Sequence, residues 1–372
     1  MRTTTRIAGA AGFALAATTL IAGPASAGSA SHDGAVFAMS DNLTGNTVVA
    51  YDRDTTGRLS QAGIYRTGGF GGQLTGSVVD HTASQGALAL DKGLLYAVNA
   101  GSDTLTVFDV HGDRLSNRQV IGSGGSFPVS VTVHGNLVYV LNARDGGSIQ
   151  GYVRIGSTLV RIPAWQRSLG LDVTLTPEFT TTPAQIAFTP NGSQLVVTTK
   201  GNGNDIDVYA VNAFGSPAAR PTVNVEPGGV PFAFAFDADA NLVVAEAGTN
   251  SIASFALHRD GTLTAIDQAA TGQAATCWVA TDGKHFYASN AGSATVSGYT
   301  DDGDGNLHAL GNTATDAGTV DATTSSDGRF LYVQAGANGV VDAFGIGADG
   351  SLTAIGSVTV PGAVGGEGIA AS

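Results

Sequence analysis

Few side chains in this chain can do acid–base chemistry from a defined place, and an internal repeat shows which they are. Glu246 stands at a position where three other copies of the repeat carry Asn99, Asn142 and Asn290. Asp321 and Glu367 open segments that align with those opening at Gln85 and Gln185, and Arg144 lies just beyond Asn142. A carboxylate set among amides can act as a general base or as a hook for a ligand hydroxyl, and a guanidinium can polarise a carbonyl. The catalytic candidates are therefore Glu246, Asp321 and Arg144. The candidates for ligand binding are Asn99, Asn142, Gln185, Asn290, Trp165 and Glu367. Glu246 and the amides have a second reading, as partners of backbone groups between repeats, because buried polar groups must be paired.

The repeat that aligns these residues is centred on tyrosine. Tyr96-Ala97-Val98-Asn99, Tyr139-Val140-Leu141-Asn142 and Tyr287-Ala288-Ser289-Asn290 are its clearest copies, and Phe37, Val196, Val243 and Tyr332 open weaker ones. An aromatic residue follows each copy: Tyr51, Phe108, Tyr152, Tyr209, Phe255, Tyr299 and Phe344. The spacings between these are 57, 44, 57, 46, 44 and 45 residues. Within each unit, apolar and polar residues alternate with period two, and turns such as Asp282-Gly283 and Asp260-Gly261 separate the runs. A period in the mid-forties built of short strands predicts β-propeller blades. The expected fold is all-β, a seven-bladed propeller of four-stranded antiparallel blades. Glu367 to Ser372 matches the innermost strand of a blade, whereas the N-terminal repeat begins with its second strand. One composite blade made from both termini should therefore close the ring.

Arg2 and Arg6, the apolar run from Ile7 to Ala22 and the small residues Ala25-Ser26-Ala27 read as a secretory signal over 1–27. That leaves one propeller domain over 28–372, and a secreted protein without a membrane span. Without the two signal arginines, 15 basic residues face 30 acidic ones, a net charge of −15. Such a surface repels nucleic acid and gives a phosphorylated ligand no cationic cradle. The single cysteine, Cys277, excludes an internal disulfide and reads as a small buried core residue. No metal-ligand cluster and no cofactor motif is present. Asp302-Gly303-Asp304-Gly305-Asn306 begins like a calcium loop but lacks its later ligands, and reads as a hairpin turn. Five of the histidines fall at hairpin positions, and His81 alone precedes an inner strand. A monomer is expected.

Two repeats are longer than the rest. One carries a glycine-rich excess over 68–80, and the other an excess over 156–182 with Arg161, Trp165, Arg167 and Glu178. Long loops in compact domains commonly carry function. Trp165 could roof a pocket there or pack on its own blade.

With these residues in view, the chain resembles the seven-bladed propeller lactonases, which include cycloisomerase-type 6-phosphogluconolactonases and carboxymuconate cyclases. The carriers are Val230-Pro231-Phe232-Ala233-Phe234-Ala235-Phe236-Asp237, Val244-Ala245-Glu246-Ala247-Gly248, Gln273-Ala274-Ala275-Thr276-Cys277-Trp278 and Ser326-Asp327-Gly328-Arg329-Phe330-Leu331-Tyr332-Val333. The resemblance covers about 34 to 372 and looks most like a secreted bacterial branch. It implies a small-molecule lactone as substrate. One departure is plain. In the phosphogluconolactonase branch, inner strands open with Pro-His. Here Pro128, Pro183 and Pro231 are followed by Val129, Ala184 and Phe232. The expectation is a lactonase-like protein acting on a neutral lactone at the mouth of the central channel. The alternative is a non-catalytic propeller that binds an extracellular polymer or protein of the cell envelope.

Overall fold

A computed structural model describes residues 1–5 and 32–372. Residues 6–31 lie outside the described residues, and with them most of the expected signal segment and its cleavage site. From His32 onward the chain forms one unit of seven antiparallel sheets arranged in a ring. The expected fold class is what is observed.

Blade 2 shows the common plan. Its strands are Leu88–Asp91, Leu94–Asn99, Thr104–His111 and Arg114–Gly122, running from the axis outward. Blade 5 repeats it with Pro231–Phe236, Leu242–Glu246, Ser251–Leu257 and Leu263–Ala270. The second strands are buried almost throughout, as in Leu94–Asn99 and His285–Asn290, because they are covered on both faces by neighbouring blades. The outermost strands alternate between half-buried and exposed, as the half-covered edge of a blade requires.

Blade 1 is composite. Ile369–Ala371 supplies its inner strand and pairs antiparallel with His32–Met39, placing Val36 opposite Ala371 and Ala38 opposite Ile369. Closure is therefore by backbone hydrogen bonds between the two ends of the chain. The paired strand is shorter than the segment from Glu367 that the repeat suggested. Blade 3 is the irregular one: both Thr158–Arg161 and Arg167–Ser168 pair with its third strand.

The recurring tyrosines hold blade to blade. Their rings fill the space between sheets, and their hydroxyls reach a carbonyl of the neighbour. Tyr139, Tyr287 and Tyr332 donate to Gly215, Gly350 and Gly57 of the following blade. Tyr51, Tyr152 and Tyr299 donate to Thr359, Gly122 and Ala270 of the preceding one. This is why the motif keeps a residue with an apolar body and a polar tip. The segment around Asp302 is a hairpin turn, with the Asp302 carboxylate accepting from Asp304 and Asn306 backbone N–H groups.

Candidate functional site

Antiparallel blades put the start of every inner strand and the turn after every second strand at the same end of the ring. The candidate residues lie at this end except Trp165, which packs beside Leu137 and Gly215 toward the other end. The ionisable groups fall in two places.

The first is the axis, and it is sealed. The long segment 67–87 runs across the mouth. Its Trp278 and Val279 contacts come from blade 6, on the far side: Trp278 Nε1 donates to the Ser84 carbonyl at 2.7 Å, and Gln85 exchanges two hydrogen bonds with Val279. The two long segments of the sequence meet here. Glu178, in the one-turn helix Glu178–Thr181, accepts from the Thr75 N–H at 2.7 Å, and Arg144 donates to the Gln73 carbonyl at 3.1 Å. Arg144 is also paired with Glu178 at 2.6 Å and lies over the Phe127 ring. It thus ties the cover together.

Beneath this cover lies a cluster of buried ionisable groups: Asp80, Lys200, Asp321 and Glu367. Glu367 accepts from the Thr82 and Ser84 hydroxyls at 2.8 and 3.0 Å. Asp321 accepts from the Ala322 and Ile369 N–H groups, so it grips the closing strand. Asp80 accepts three backbone N–H groups, from Thr82, Ala83 and Ser84. Lys200 spends its three donors on the Ala83 and Phe179 carbonyls and the Thr182 hydroxyl. Burial pushes the Asp321 carboxyl up to about 7 and the Asp80 carboxyl to about 6. Burial, then Asp321 and Asp80, hold Glu367 well above the usual range. Burial likewise brings Lys200 down to about 7, and pushes the Cys277 thiol up to about 12. The hydrogen-bonding capacity of this cluster is used internally.

The second place is open, and it belongs to Glu246. At the seam between blades 4 and 5, a cavity of about 460 Å³ opens between the Glu226–Gly229 segment and the face of blade 5. Glu246 is only 4 % exposed, at the end of the second strand. Its Oε2 accepts from Gln268 Nε2 at 2.7 Å and Thr249 Oγ1 at 3.3 Å. Its Oε1 receives no hydrogen bond from the described residues and lies against Gly229, where a Cβ would come within 3.0 Å. Burial raises the Glu246 carboxyl above its ordinary value, against the two hydrogen bonds. Burial and the Glu246 charge together raise Glu226.

The cavity exists because blade 5 breaks the repeat. In five of the six other blades the third-strand residue two before the aromatic is polar (Thr106, Gln150, Asp207, Ser297 and Asp342), and in blade 1 it is the larger apolar Val49. In blades 2 and 6 it meets the second-strand amide: Asn99 donates to Thr106 at 2.8 Å, and Asn290 to Ser297 at 2.9 Å. Blade 5 has Glu246 in place of the amide and Ala253 in place of the hydroxyl. The filling contact is lost, and a carboxylate faces the space.

The remaining candidates pair internally. Asn142 donates to the Ser123 carbonyl and Ser148 hydroxyl. Gln185 bridges to the backbone of Phe234 in the next blade through both ends of its amide. Trp165 is 9 % exposed and stacks on Tyr139 with ring centroids 6.1 Å apart, so it packs on its own blade. The sequence reading passed over Asp80, Lys200, Glu226, Ala253 and Gln268. Ala253 was detectable from its register with five polar residues. Asp80 and Lys200 were not, since only the fold brings them together.

Among the described residues, no group of His, Cys, Asp and Glu is placed to hold a metal ion, and no helix is long and apolar enough to cross a membrane. The comparisons agree with the fold. The model of a family described as lactonase, 7-bladed beta-propeller, matches residues 168–280 and 245–366. No curated protein matches the chain. Among solved structures, a putative 6-phosphogluconolactonase of Bacteroides fragilis is 19 % identical with a TM-score of 0.72, covering 92 % of this chain and 99 % of its own. A periplasmic gluconolactonase of Pseudomonas aeruginosa is 17 % identical with a TM-score of 0.71, covering 91 % and 98 %. A protein of Lactobacillus plantarum is 21 % identical with a TM-score of 0.71, again covering 91 % and 98 %. At these identities the likeness to solved structures speaks for the fold, and the family match speaks for descent. The chain belongs to the seven-bladed β-propeller lactonase family.

Proposed function

We propose that the protein is a lactonase-like hydrolase of uncharged lactones acting outside the cytoplasm, with its chemistry in the seam cavity beside blade 5. The observation that carries this is the Glu246–Ala253 substitution pair, which opens a cavity onto a buried carboxylate with one free oxygen. Glu246 is the base. Its Oε1 removes a proton from a water that attacks the lactone carbonyl carbon. The ring C–O bond then breaks, and the proton held on Glu246 returns to the departing alkoxide oxygen, leaving a hydroxy acid. A carboxyl raised by burial is a stronger base than one in water. Gln268 and Thr249 hold the other oxygen and so fix the direction of the free one. Ala253, Phe255 and Ala265 give the ring an apolar floor. Location outside the cytoplasm is supported by the signal-like N-terminus and the excess of acidic residues.

The test is hydrolysis of a panel of uncharged lactones by the intact protein and by Glu246→Gln. Loss of general-base catalysis should lower kcat by roughly 10² to 10⁴. Equal rates in both proteins would remove Glu246 from the mechanism. No turnover of any lactone by the intact protein would favour the alternative reading, a propeller that binds an envelope polymer or protein.

A further inference from the structure

The seam cavity holds more negative charge than a single base requires. Glu226 and Glu246 line it from blades 4 and 5, Asp267 adds a third carboxylate, and no Lys, Arg or His is among the lining residues. Asp267 is committed, since it accepts from the Gln268 and Leu307 backbone N–H groups at 2.8 and 2.9 Å. The carboxylate of Glu226 receives no hydrogen bond from the described residues, and neither does Glu246 Oε1. Two carboxylates lining one cavity, each with a free oxygen and with no cation among the lining residues, are complementary to a positive charge.

We propose that the cavity takes a ligand bearing a protonated amine, with the ammonium held at Glu226 beside Glu246 and a small saturated ring on the floor of Ala253, Phe255 and Ala265. This rests on the lactonase reading and changes one part of it: the substrate class becomes a lactone bearing a protonated amine, in place of an uncharged one. The arrangement also serves the base. An ammonium at Glu226 lowers the cost of ionising Glu246, and the ionised form is the one that takes a proton from water. A ring of this kind meets an apolar floor and a charged rim, the usual division of labour in a small-molecule site.

The experiment is calorimetric titration of the full chain with 3-aminotetrahydropyran and with its uncharged isostere tetrahydropyran-3-ol. The amine should bind at least roughly tenfold more tightly, the value of one charge-assisted hydrogen bond. Glu226→Gln should erase that preference, and Ala253→Gln, which puts an amide on the cavity floor without altering its charge, should weaken binding of both. Equal affinity for amine and alcohol, no binding of the amine, or a preference that survives Glu226→Gln overturns the proposal. So does displacement of the amine by calcium chloride at matched ionic strength, which would make the site one for a divalent cation. Because binding is read without turnover, the two readings fail separately. A protein that hydrolyses neutral lactones yet shows no amine preference defeats only this inference. One that prefers the amine and hydrolyses nothing defeats only the lactonase reading.

Discussion

Gln85 and Val279 close the axis of the ring by a reciprocal pair of hydrogen bonds: Gln85 Nε2 donates to the Val279 carbonyl at 2.9 Å, and the Val279 N–H donates to Gln85 Oε1 at 2.9 Å. The two residues are 194 positions apart and belong to blades on opposite sides. An amide side chain here imitates a strand, presenting one donor and one acceptor to a backbone that has no neighbour at the centre. That pairing makes the axis a core rather than a channel.

Removing it should cost stability. In Gln85→Leu, both backbone groups of Val279 are left buried without a partner, at roughly 1–3 kcal/mol each. The expected loss is about 2–6 kcal/mol, read as a lower denaturant midpoint with an unchanged slope. A midpoint equal to that of the intact protein would mean that water satisfies Val279 and the axis is wet.

The closing strand should matter more. Deleting 367–372 removes the inner strand of blade 1, the Glu367 acceptor for Thr82 and Ser84, and Ile369, which is 4 % exposed. Burial of Ile369 contributes about 2 kcal/mol, and each lost hydrogen bond about 1 kcal/mol net. Domains are stable by only ~5–15 kcal/mol, so the truncated chain should be largely unfolded at room temperature. Circular dichroism decides this: a native β spectrum and an unchanged melt would mean that the ring closes without the composite blade.

Stability should depend on pH with a sign set by the buried acids. The Asp321 carboxyl goes from an ordinary 3.8 to about 7 on folding, chiefly through burial. A raised acid pKa favours the folded state while the group is protonated, so its contribution is full below about 3.8 and is lost as pH rises toward about 7. Asp80 acts the same way up to about 6. Lys200 acts in the opposite sense higher up, because its pKa falls from 10.5 to about 7 on folding, and stability regained from it appears between those values. The melting temperature should therefore fall from pH 4 to pH 7. Asp321→Asn, which cannot ionise and keeps an acceptor for one of the two N–H groups of Ala322 and Ile369, should flatten that decline at some cost in overall stability. An unchanged slope in Asp321→Asn would show that another group sets it.

How much of this could be read in the sequence follows from what each feature depends on. The blades, their turns and the composite closure were legible because period-two alternation and positive-φ turn residues are local properties. Glu246 was singled out because it broke a column of asparagines. Its place in a seam rather than at the axis was not legible, since second-strand ends face the neighbouring blade and only the ring geometry shows that. The cluster of Asp80 and Lys200 was out of reach for a similar reason: segment 67–87 crosses to the far side of the ring, and nothing local marks a loop for that path. Trp165 shows the limit differently. The sequence left open whether it roofs a pocket or packs on its own blade, and the structure settles it through Tyr139, a repeat residue of that blade whose aromatic face lies at stacking distance.

The cover over the axis should loosen without unfolding the protein when its tie is cut. Arg144 and Glu178 are both partly exposed, at 37 % and 25 % by side chain, so their pair contributes on the order of 1 kcal/mol or less. Arg144 nevertheless connects segment 67–87 to segment 169–182 through Gln73 and Glu178. Arg144→Ala should leave the melting temperature within a few degrees of the intact protein and speed limited proteolysis between 169 and 182 several-fold. Identical cleavage kinetics would show that the bonds from Lys200, Gly201 and Asn202 to the Phe179, Thr180 and Thr181 carbonyls hold that segment without Arg144.

The register of blade 5 allows the seam cavity to be tested by restoring the repeat. Ala253 occupies the column that holds Gln150 in blade 3, where the amide folds back onto the Gly151 and Ile162 carbonyls and fills its seam. Ala253→Gln should therefore be accepted by the blade, with a change in stability of about 1 kcal/mol or less, because the added atoms enter an existing space. They would occupy the volume in front of Glu246 Oε1. Lactone hydrolysis should then fall as far as in Glu246→Gln, although the base is still present and its Gln268 and Thr249 partners are unchanged. The double variant should be no worse than either single one, since filling the cavity and removing the base abolish the same step. Full activity in Ala253→Gln would place the reaction elsewhere, and the sealed acids at the axis would become the next candidates, with Asp321→Asn and Glu367→Gln as the variants to assay.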